Sequence, residues 1–443
     1  MNVPDNEKYR KALHVLARLQ SAGFEAYFAG GCVRDMIMGR PPKDYDIATN
    51  TPPDEIERLL HPTIAVGKAF GVIVALRGED QFEVASFRWD GPYRDGRHPE
   101  VTKLSTKEDD IARRDFTVNG LFFNPATGEV LDLVGGRADI ERRLIRAIGD
   151  PVERFREDRL RMMRAIRFAC QLGFAIEDNT LAGVKAMAKA IVSVSNERIA
   201  DELRHILVSN ERRKGIELLD ETGILAVLMP DVVAMKGVPQ PPQFHPEGDV
   251  FEHTLLCLQH LDNPSWPLAL AALLHDIGKP PTMQKLDRIR FHEHETVGVR
   301  MARRICAKLK LSNDERDTVL WLIERHMVFK DVQNMRQATL KRLFAHPLYK
   351  QLEELHRADK LACDGDMSTL QFCRAKYAEY GVEEIKPKPL LTGHDLLALG
   401  LEPGPVFGKV LRAVEDAQLD GEVKTREEAI ALASKLAAES QPN

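Results

Sequence analysis

The sequence predicts an α/β domain with a mixed or antiparallel sheet over residues 1–150, followed by a chain that is helical to its end. Three observations carry this. Strand-like apolar segments occur only in the first 150 residues, bounded by glycine-rich turns. Helix-period stripes take over from about residue 151. The segment GVPQPPQFHPEGD (237–249), with four prolines and two glycines, reads as a linker dividing the helical part. At ~100–200 residues per domain, the expected order is a head (1–150), a helical neck and body (151–236), a further helical domain (250–380) and a helical C-terminal tail (385–443).

Each element has its own signal. Leu13, Leu16 and Leu19 place a helix over 7–20. AYFAG is a strand that runs into Gly30-Gly31 and a second helix. GVIVAL (71–76) and FEVASF (82–87) are strands joined at RGED, and GLFFN and GEVLDL are strands joined at PATG. Helices follow over 156–174, 179–193, 197–208 and 211–227. Beyond the linker, apolar stripes mark 253–262, 268–277, 295–310 and 313–326; IKPKPLLTG (385–393) is a second break, and 394–435 suggests short closing helices.

With 44% hydrophobic and 29% charged residues, the chain is not collagen-like, largely disordered or a small disulfide scaffold. No run approaches the ~18–20 apolar residues of a membrane helix, and the N-terminus lacks a secretory apolar core, so a cytoplasmic location with no membrane partner is expected. Six cysteines without a CxxC pair are expected to be reduced and mostly buried. The net charge of −5 argues against a nucleic-acid binder. It is unevenly spread, however: residues 151–214 hold 13 Lys/Arg against 9 Asp/Glu.

Chemistry concentrates in AGGCVRDMIMGRPPKDYDIAT (29–49). Gly30 and Gly31 let backbone N–H groups approach a phosphate, and Arg34 lies one turn inside the following helix. In DYDIA, Asp44 and Asp46 sit at i and i+2 of a strand, so both carboxylates face one side. Such a pair beside a phosphate turn suits Mg²⁺. Glu83 is either a third carboxylate or a cross-strand partner of Arg88. Residues 87–100, rich in glycine, proline and charge, form a polar loop.

These motifs, with ARRDFTVNGLFFNP (112–125), DLVGGRADIERRLIRAIGDP (132–151) and REDRLRMMRAIRFACQLGF (156–174), resemble the class II tRNA nucleotidyltransferase (CCA-adding) and bacterial poly(A) polymerase family over roughly 20–230. The resemblance implies a head of the DNA polymerase β-type nucleotidyltransferase superfamily, then an all-α neck and body. It makes Asp44 and Asp46 the catalytic metal ligands, with Glu83 beside them. It makes Gly30, Gly31, Arg34, Arg114, Asp115, Asn119, Glu157, Asp158, Arg161 and Arg164 nucleotide-binding residues. Arg114 and Asp115 would hold the ribose, an Asp being a fitting acceptor for its 2′-OH. Asp158 and Arg161, three apart and so neighbours if helical, would read the exocyclic amine and ring nitrogen that C and A share, with Glu157 bracing the arginine. The ordinary alternative is a salt-bridged helix surface. The polar loop is similar to the one by which CCA-adding enzymes switch from C to A.

A second constellation follows. His253, His275-Asp276 in LLHDIGKP and Asp359 in RADKLACD stand in apolar helical stretches, where such groups are costly unless paired or metal-bound. Their order resembles the HD phosphohydrolase superfamily, implying an all-α HD domain with a divalent metal that the sequence does not name. Lys279, His292, His294 and His326 would line that site and contact phosphate. The expected partners are the tRNA 3′ end, ATP and CTP, the oligomeric state being open. The rival readings are an A-adding enzyme or poly(A) polymerase, and an HD phosphohydrolase whose head only binds RNA.

Overall fold

Asn6 starts the first helix by accepting the Tyr9 N–H at 2.7 Å. In this computed structural model, which describes residues 3–91, 101–243, 245–246, 248–285 and 289–439, that helix is α1 (Glu7–Ser21), and its buried stripe includes Leu16 and Leu19. The chain forms two units: Met1–Val233 with Lys308–Lys310, and Ala234–Ala307 with Leu311–Asn443.

The first unit is built on a seven-stranded mixed sheet. Its strands are β1 (Ala26–Ala29), β2 (Asp46–Thr49), β3 (Thr63–Gly67), β4 (Val72–Arg77), β5 (Asp80–Ser86), β8 (Leu121–Asn124) and β9 (Glu129–Asp132), in the order β3-β4-β5-β2-β1-β8-β9. A separate hairpin joins β6 (Arg88–Asp90) to β7 (Thr102–Leu104). The polar loop expected at 87–100 falls mostly on 92–100, which lie outside the described residues. Within the large sheet, β2 and β5 pair in parallel and the other described ladders are antiparallel. Helices α2 (Gly31–Ile37) and α3 (Pro53–Leu60) follow β1 and β2; α4 (Lys107–Ala112) and α5 (Gly136–Arg142) flank β8 and β9. Phe28, Tyr45, Phe82, Phe87 and Phe122 are fully buried in this unit, each worth ~1.5–3 kcal/mol of apolar burial.

The neck departs from the expected single helix over 156–174. Two helices stand there, α6 (Pro151–Glu157) and α7 (Arg161–Leu172), separated at Asp158. Asp158 is extended (φ −138°, ψ 106°), and its carboxylate accepts the Leu160 N–H at 3.1 Å. That local bond offers the backbone an alternative to the helix. Three more helices form this part: α8 (Asp178–Met187), α9 (Asn196–Leu207) and α10 (Arg212–Glu221). The predicted helix over 211–227 is broken at Gly223, whose φ of 79° ends one segment before α11 (Ile224–Leu228).

The second unit is helical apart from a short hairpin, Met283–Lys285 with Ile289–Phe291. The described residues of the segment expected as a linker, 237–249, belong to this unit: Val250 N–H donates to Val238 O, Gly237 N–H to Asp249, and Lys279 to the buried Gln240. Apolar helices Val250–His260 and Trp266–Leu274 form its interior. At its end, Pro405–Asp420 and Arg426–Glu439 are longer than the short helices expected, and they share a core of Leu396, Val410, Val414 and Ala429. Among the described residues no helix is long and apolar enough to cross a membrane.

Candidate active site and metal centre

Tyr45 sets up the carboxylates of the first unit. It is 1% exposed and packs against Tyr9 and Phe28 with ring centroids 5.6 and 5.8 Å away. Pinning this residue inward turns its neighbours Asp44 and Asp46 outward. Asp44 precedes the strand rather than lying in it, so the alternation begins two residues before β2. Lys8 from α1 donates to Asp44 Oδ1 at 2.8 Å.

The parallel register pairs Ile47 with Val84, which sets Asp46 beside Glu83 on one face. Protein hemming in the Asp46 carboxyl, with the charges of Glu83 and Asp44, pushes it up to about 6, against the opposing pull of Arg114. Arg88 Nε lies 3.0 Å from Asp90, so the structure sets Glu83 with Asp46 and gives Arg88 another carboxylate.

Gly30, at φ 72°, is bonded through its N–H to Leu121 O at 3.0 Å, and a Cβ there would come within 3.0 Å of Arg114. Arg34, buried, donates to Asn119 Oδ1 at 2.7 Å and to Asp35 at 2.9 Å. Arg114 is held by Asp110 at 3.1 Å and lies over the Phe122 ring. Asp115 is 8% exposed, and both its oxygens are engaged. Oδ1 accepts from Phe116 N–H (2.8 Å) and Asn119 Nδ2 (3.2 Å); Oδ2 accepts Arg164 Nε at 2.9 Å and a second Arg164 N–H. Burial alone would raise the Asp115 carboxyl; Arg164 and Asn119 outweigh it and hold it down at about 2.

Asp158 and Arg161 are not neighbours along one helix, because the chain breaks between them. They are fixed separately. Arg198 from α9 donates to Asp158 Oδ2 at 2.8 Å. Arg161 donates through Nη1 to Glu157 at 2.6 Å and through Nη2 to Arg113 O at 2.9 Å, so Glu157 does brace it. Both residues still face one cleft of about 1090 Å³, along with Gly30, Gly31, Asp44, Asp46, Arg114 and Asp115. Eight arginines and one lysine line this cleft against five aspartates. Sequence reasoning missed Arg167, Phe168 and Arg198. Guanidinium groups of Arg34, Arg164 and Arg167 lie 5.6, 5.3 and 4.5 Å from the Phe168 ring. No local motif marks these contacts: Arg34 reaches Phe168 from α2, while Arg164 and Arg167 lie beside it on α7.

In the second unit, His253 (0% exposed), His275 and Asp276 (1% each) come together as the sequence predicts. His253 Nε2 is 3.0 Å from Asp359 Oδ1 and 3.7 Å from Asp276 Oδ2; His275 Nε2 is 3.3 Å from Asp276 Oδ2. Lys279 pairs with Asp276 at 2.6 Å. His294 and His326 are also buried here, whereas His292 is exposed and outside the group. Burial beside His275 pushes His326 down to about 3. His245, Cys257 and Cys363, which the sequence reading did not single out, flank His253. An H…HD…D pattern marks only ligands of standard order, which explains the omission.

Three segments of the chain match described families: "Poly A polymerase head domain" at 26–146, "Probable RNA and SrmB- binding site of polymerase A" at 173–235 and "HD domain" at 250–364. A CCA-adding enzyme of Streptococcus suis is 31% identical over 435 residues, 97% of this chain and 96% of the relative. One from Geobacillus kaustophilus is 42% identical over 221 residues, 50% of this chain and 54% of the relative. The crystal structure of the Bacillus stearothermophilus CCA-adding enzyme in complex with CTP is similar at a TM-score of 0.74 and 26% identity, covering 98% of this chain and 99% of that one.

Proposed function

The chain belongs to the CCA-adding enzyme family, and from that premise we propose how its residues divide the work of a tRNA nucleotidyltransferase. The reaction adds C and A to the tRNA 3′ end: the RNA 3′-hydroxyl oxygen bonds to the α-phosphorus of CTP or ATP, the α–β phosphoanhydride bond breaks, and pyrophosphate leaves. The observation that supports the assignment is the shared cleft, whose lining includes Asp44, Asp46, Asp158, Arg161 and the Gly30-Gly31 turn.

Head and HD domains of these kinds use divalent metals. The head residues fit a hard cation, because burial and the charges of Glu83 and Asp44 push the Asp46 carboxyl toward protonation, more than Arg114 offsets. Asp44, Asp46 and Glu83 would hold Mg²⁺, which when bound activates the attacking hydroxyl and stabilises the leaving pyrophosphate. The protein's own contribution is positioning and charge. The Gly30-Gly31 backbone and Arg34 take the phosphates. Arg114 and Asp115 hold the ribose, with Asn119 and Arg164 fixing Asp115.

Asp158 and Arg161 read the base. Each Asp158 oxygen has a second lone pair for an exocyclic amine, and Arg161 keeps its Nε–H and one Nη2–H to donate. U and G present a carbonyl where C and A present the amine, so this pair selects C and A. At the second site, His253, His275, Asp276 and Asp359 would hold a divalent metal, which would supply phosphohydrolase chemistry, and Lys279, paired with Asp276, would contact the phosphate. A cytoplasmic location goes with this function.

The test uses a tRNA transcript ending at its discriminator base, with CTP and ATP supplied singly and together, followed by sequencing of the product end. CCA is expected with both nucleotides and CC with CTP alone. A product without CMP would sink the assignment and leave A-addition or poly(A) synthesis.

A further inference from the structure

Three of the arginines that line the cleft of the first unit gather around one uncharged side chain. Phe168, on α7, lines the same cleft and is 8% exposed. The guanidinium carbons of Arg34, Arg164 and Arg167 lie 5.6, 5.3 and 4.5 Å from its ring centroid. Phe116, fully buried, meets that ring at 78° with centroids 5.8 Å apart, which fixes its plane. Like charges brought this close repel, so their grouping needs a cause. Each arginine has a carboxylate: Asp35 for Arg34, Asp115 for Arg164 and Glu202 for Arg167. Those are three separate anchors, and none of them draws the three cations together.

The ring does, and it differs from a carboxylate in what it leaves available. A carboxylate takes up N–H groups and cancels charge. An aromatic face attracts a guanidinium through its quadrupole, occupies none of the N–H groups and cancels nothing. The arginines accordingly keep donors to spare. Among the described residues, Arg164 Nη1 and both terminal nitrogens of Arg167 make no hydrogen bond within the chain. Arg34 Nη2 would lie 3.6 Å from a Cβ at Gly31, beside the turn assigned to the phosphates. A leucine at 168 would fill the same space and offer no such face.

We propose that Phe168 is a positioning residue for nucleotide binding: its ring gathers Arg34, Arg164 and Arg167 into one fixed, still charged set of donors for the phosphates of the incoming CTP or ATP. This rests on the reading of the head cleft as the nucleoside triphosphate site. Arg167 thereby joins Arg34 among the phosphate contacts, and Arg164 serves the phosphates while it fixes Asp115. CTP and ATP share their triphosphate, so the ring acts equally on both and leaves base preference untouched.

The experiment replaces Phe168 in the full-length protein by phenylalanines carrying one, two and three ring fluorines, and separately by Leu. Fluorine drains charge from the ring face at nearly constant shape, so packing is kept while the attraction weakens. Calorimetric titration with CTP, ATP and CMP is paired with KM and kcat on a CCA-less tRNA. Affinity for CTP and ATP is expected to fall step by step along the series, and by about 5–30-fold in Phe168→Leu, the range of a desolvated cation–π contact. KM should rise in parallel while kcat holds, and CMP, without β- and γ-phosphates, should be affected least. Affinities that show no trend with fluorination, or losses as large for CMP as for CTP, overturn the role of the ring. The fluorinated series decides this even if Phe168→Leu fails to fold. A wild-type protein that binds neither CTP nor ATP overturns the nucleotide reading of the head, and this proposal with it.

Discussion

Replacing Asp115 by Asn removes a buried charge while keeping the side chain's size. The folded carboxyl sits at about 2 against an ordinary 3.8, chiefly because Arg164 more than offsets its burial. That depression corresponds to about 2.5 kcal/mol of stability at neutral pH. Because the folded value is the lower one, the contribution is complete above pH ~5. It fades as pH falls through 3.8 toward 2, and is about 1.3 kcal/mol at pH 3. Asn at 115 has no charge to titrate, so the gap between wild type and Asp115→Asn should narrow by roughly half between pH 7 and pH 3. The two units need not unfold together, which makes a single global transition a poor reporter. Pulse proteolysis across a urea gradient, with the surviving fragment of the first unit quantified by mass spectrometry, isolates the relevant transition. Equal stability at pH 7, or a gap unchanged at pH 3, would refute the claim that the Arg164 pair outweighs the burial of Asp115.

The other expectations concern chemistry and packing. Asp46→Asn should lower incorporation of both CMP and AMP on CCA-less tRNA by ~10²–10³-fold, the range lost when charge stabilisation at a reacting centre is removed; near-normal rates would show that the head carboxylates are not the catalyst. Arg198→Met removes one charge-assisted bond to Asp158, worth ~1.5–3 kcal/mol. Single-turnover incorporation of each of the four nucleotides should then show ~10–100-fold less preference for CTP and ATP over UTP and GTP, with transfer retained, and an unchanged preference would remove Arg198 from base selection. Gly136→Ala places a Cβ 2.2 Å from the Thr117 carbonyl oxygen, a backbone atom, so it should destabilise the first unit by ~1–3 kcal/mol. A thermal midpoint equal to wild type would show that this turn yields without strain.

What the sequence made legible was local. Asp44 and Asp46 are two apart, and alternation alone puts them on one side; a buried Tyr45 enforces this even though β2 starts only at Asp46. The H…HD…D residues likewise come together: His253 lies within one apolar helix, and His275 and Asp276 directly follow the end of another, so their burial is evident from composition. What failed was what depends on competition or on distant partners. An apolar period runs unbroken through 156–174, yet the Asp158 side chain takes the Leu160 N–H and stops the first helix. Helix periodicity is blind to such a side-chain bond. Gln240 in the proline-rich segment is buried because Lys279 reaches it from 39 residues away, a contact that no reading of prolines foresees. Arg198 and Asp158 meet across 40 residues for the same reason.

The acidic total of −5 is reconciled with an RNA substrate by how the cleft spends its cations. Most of the arginines there are committed: Arg34 to Asp35, Arg114 to Asp110, Arg161 to Glu157, Arg164 to Asp115 and Arg198 to Asp158. A paired guanidinium contributes little long-range attraction, but its remaining N–H groups stay aimed at fixed points. Such donors need no reorganisation when a triphosphate arrives, which is where electrostatic catalysis gains most. Arg40 and Lys43 differ: both are exposed, and no ion pair of theirs is found among the described residues. Counterion release on binding RNA scales with phosphates neutralised by such mobile charges, at a slope near −0.7 per contact for single strands. Replacing Arg40 and Lys43 with Gln should therefore flatten the salt dependence of tRNA binding while leaving base preference unchanged, and Arg198→Met should do the reverse. If one substitution moved both quantities equally, attraction and recognition would not be carried by separate sets of charges.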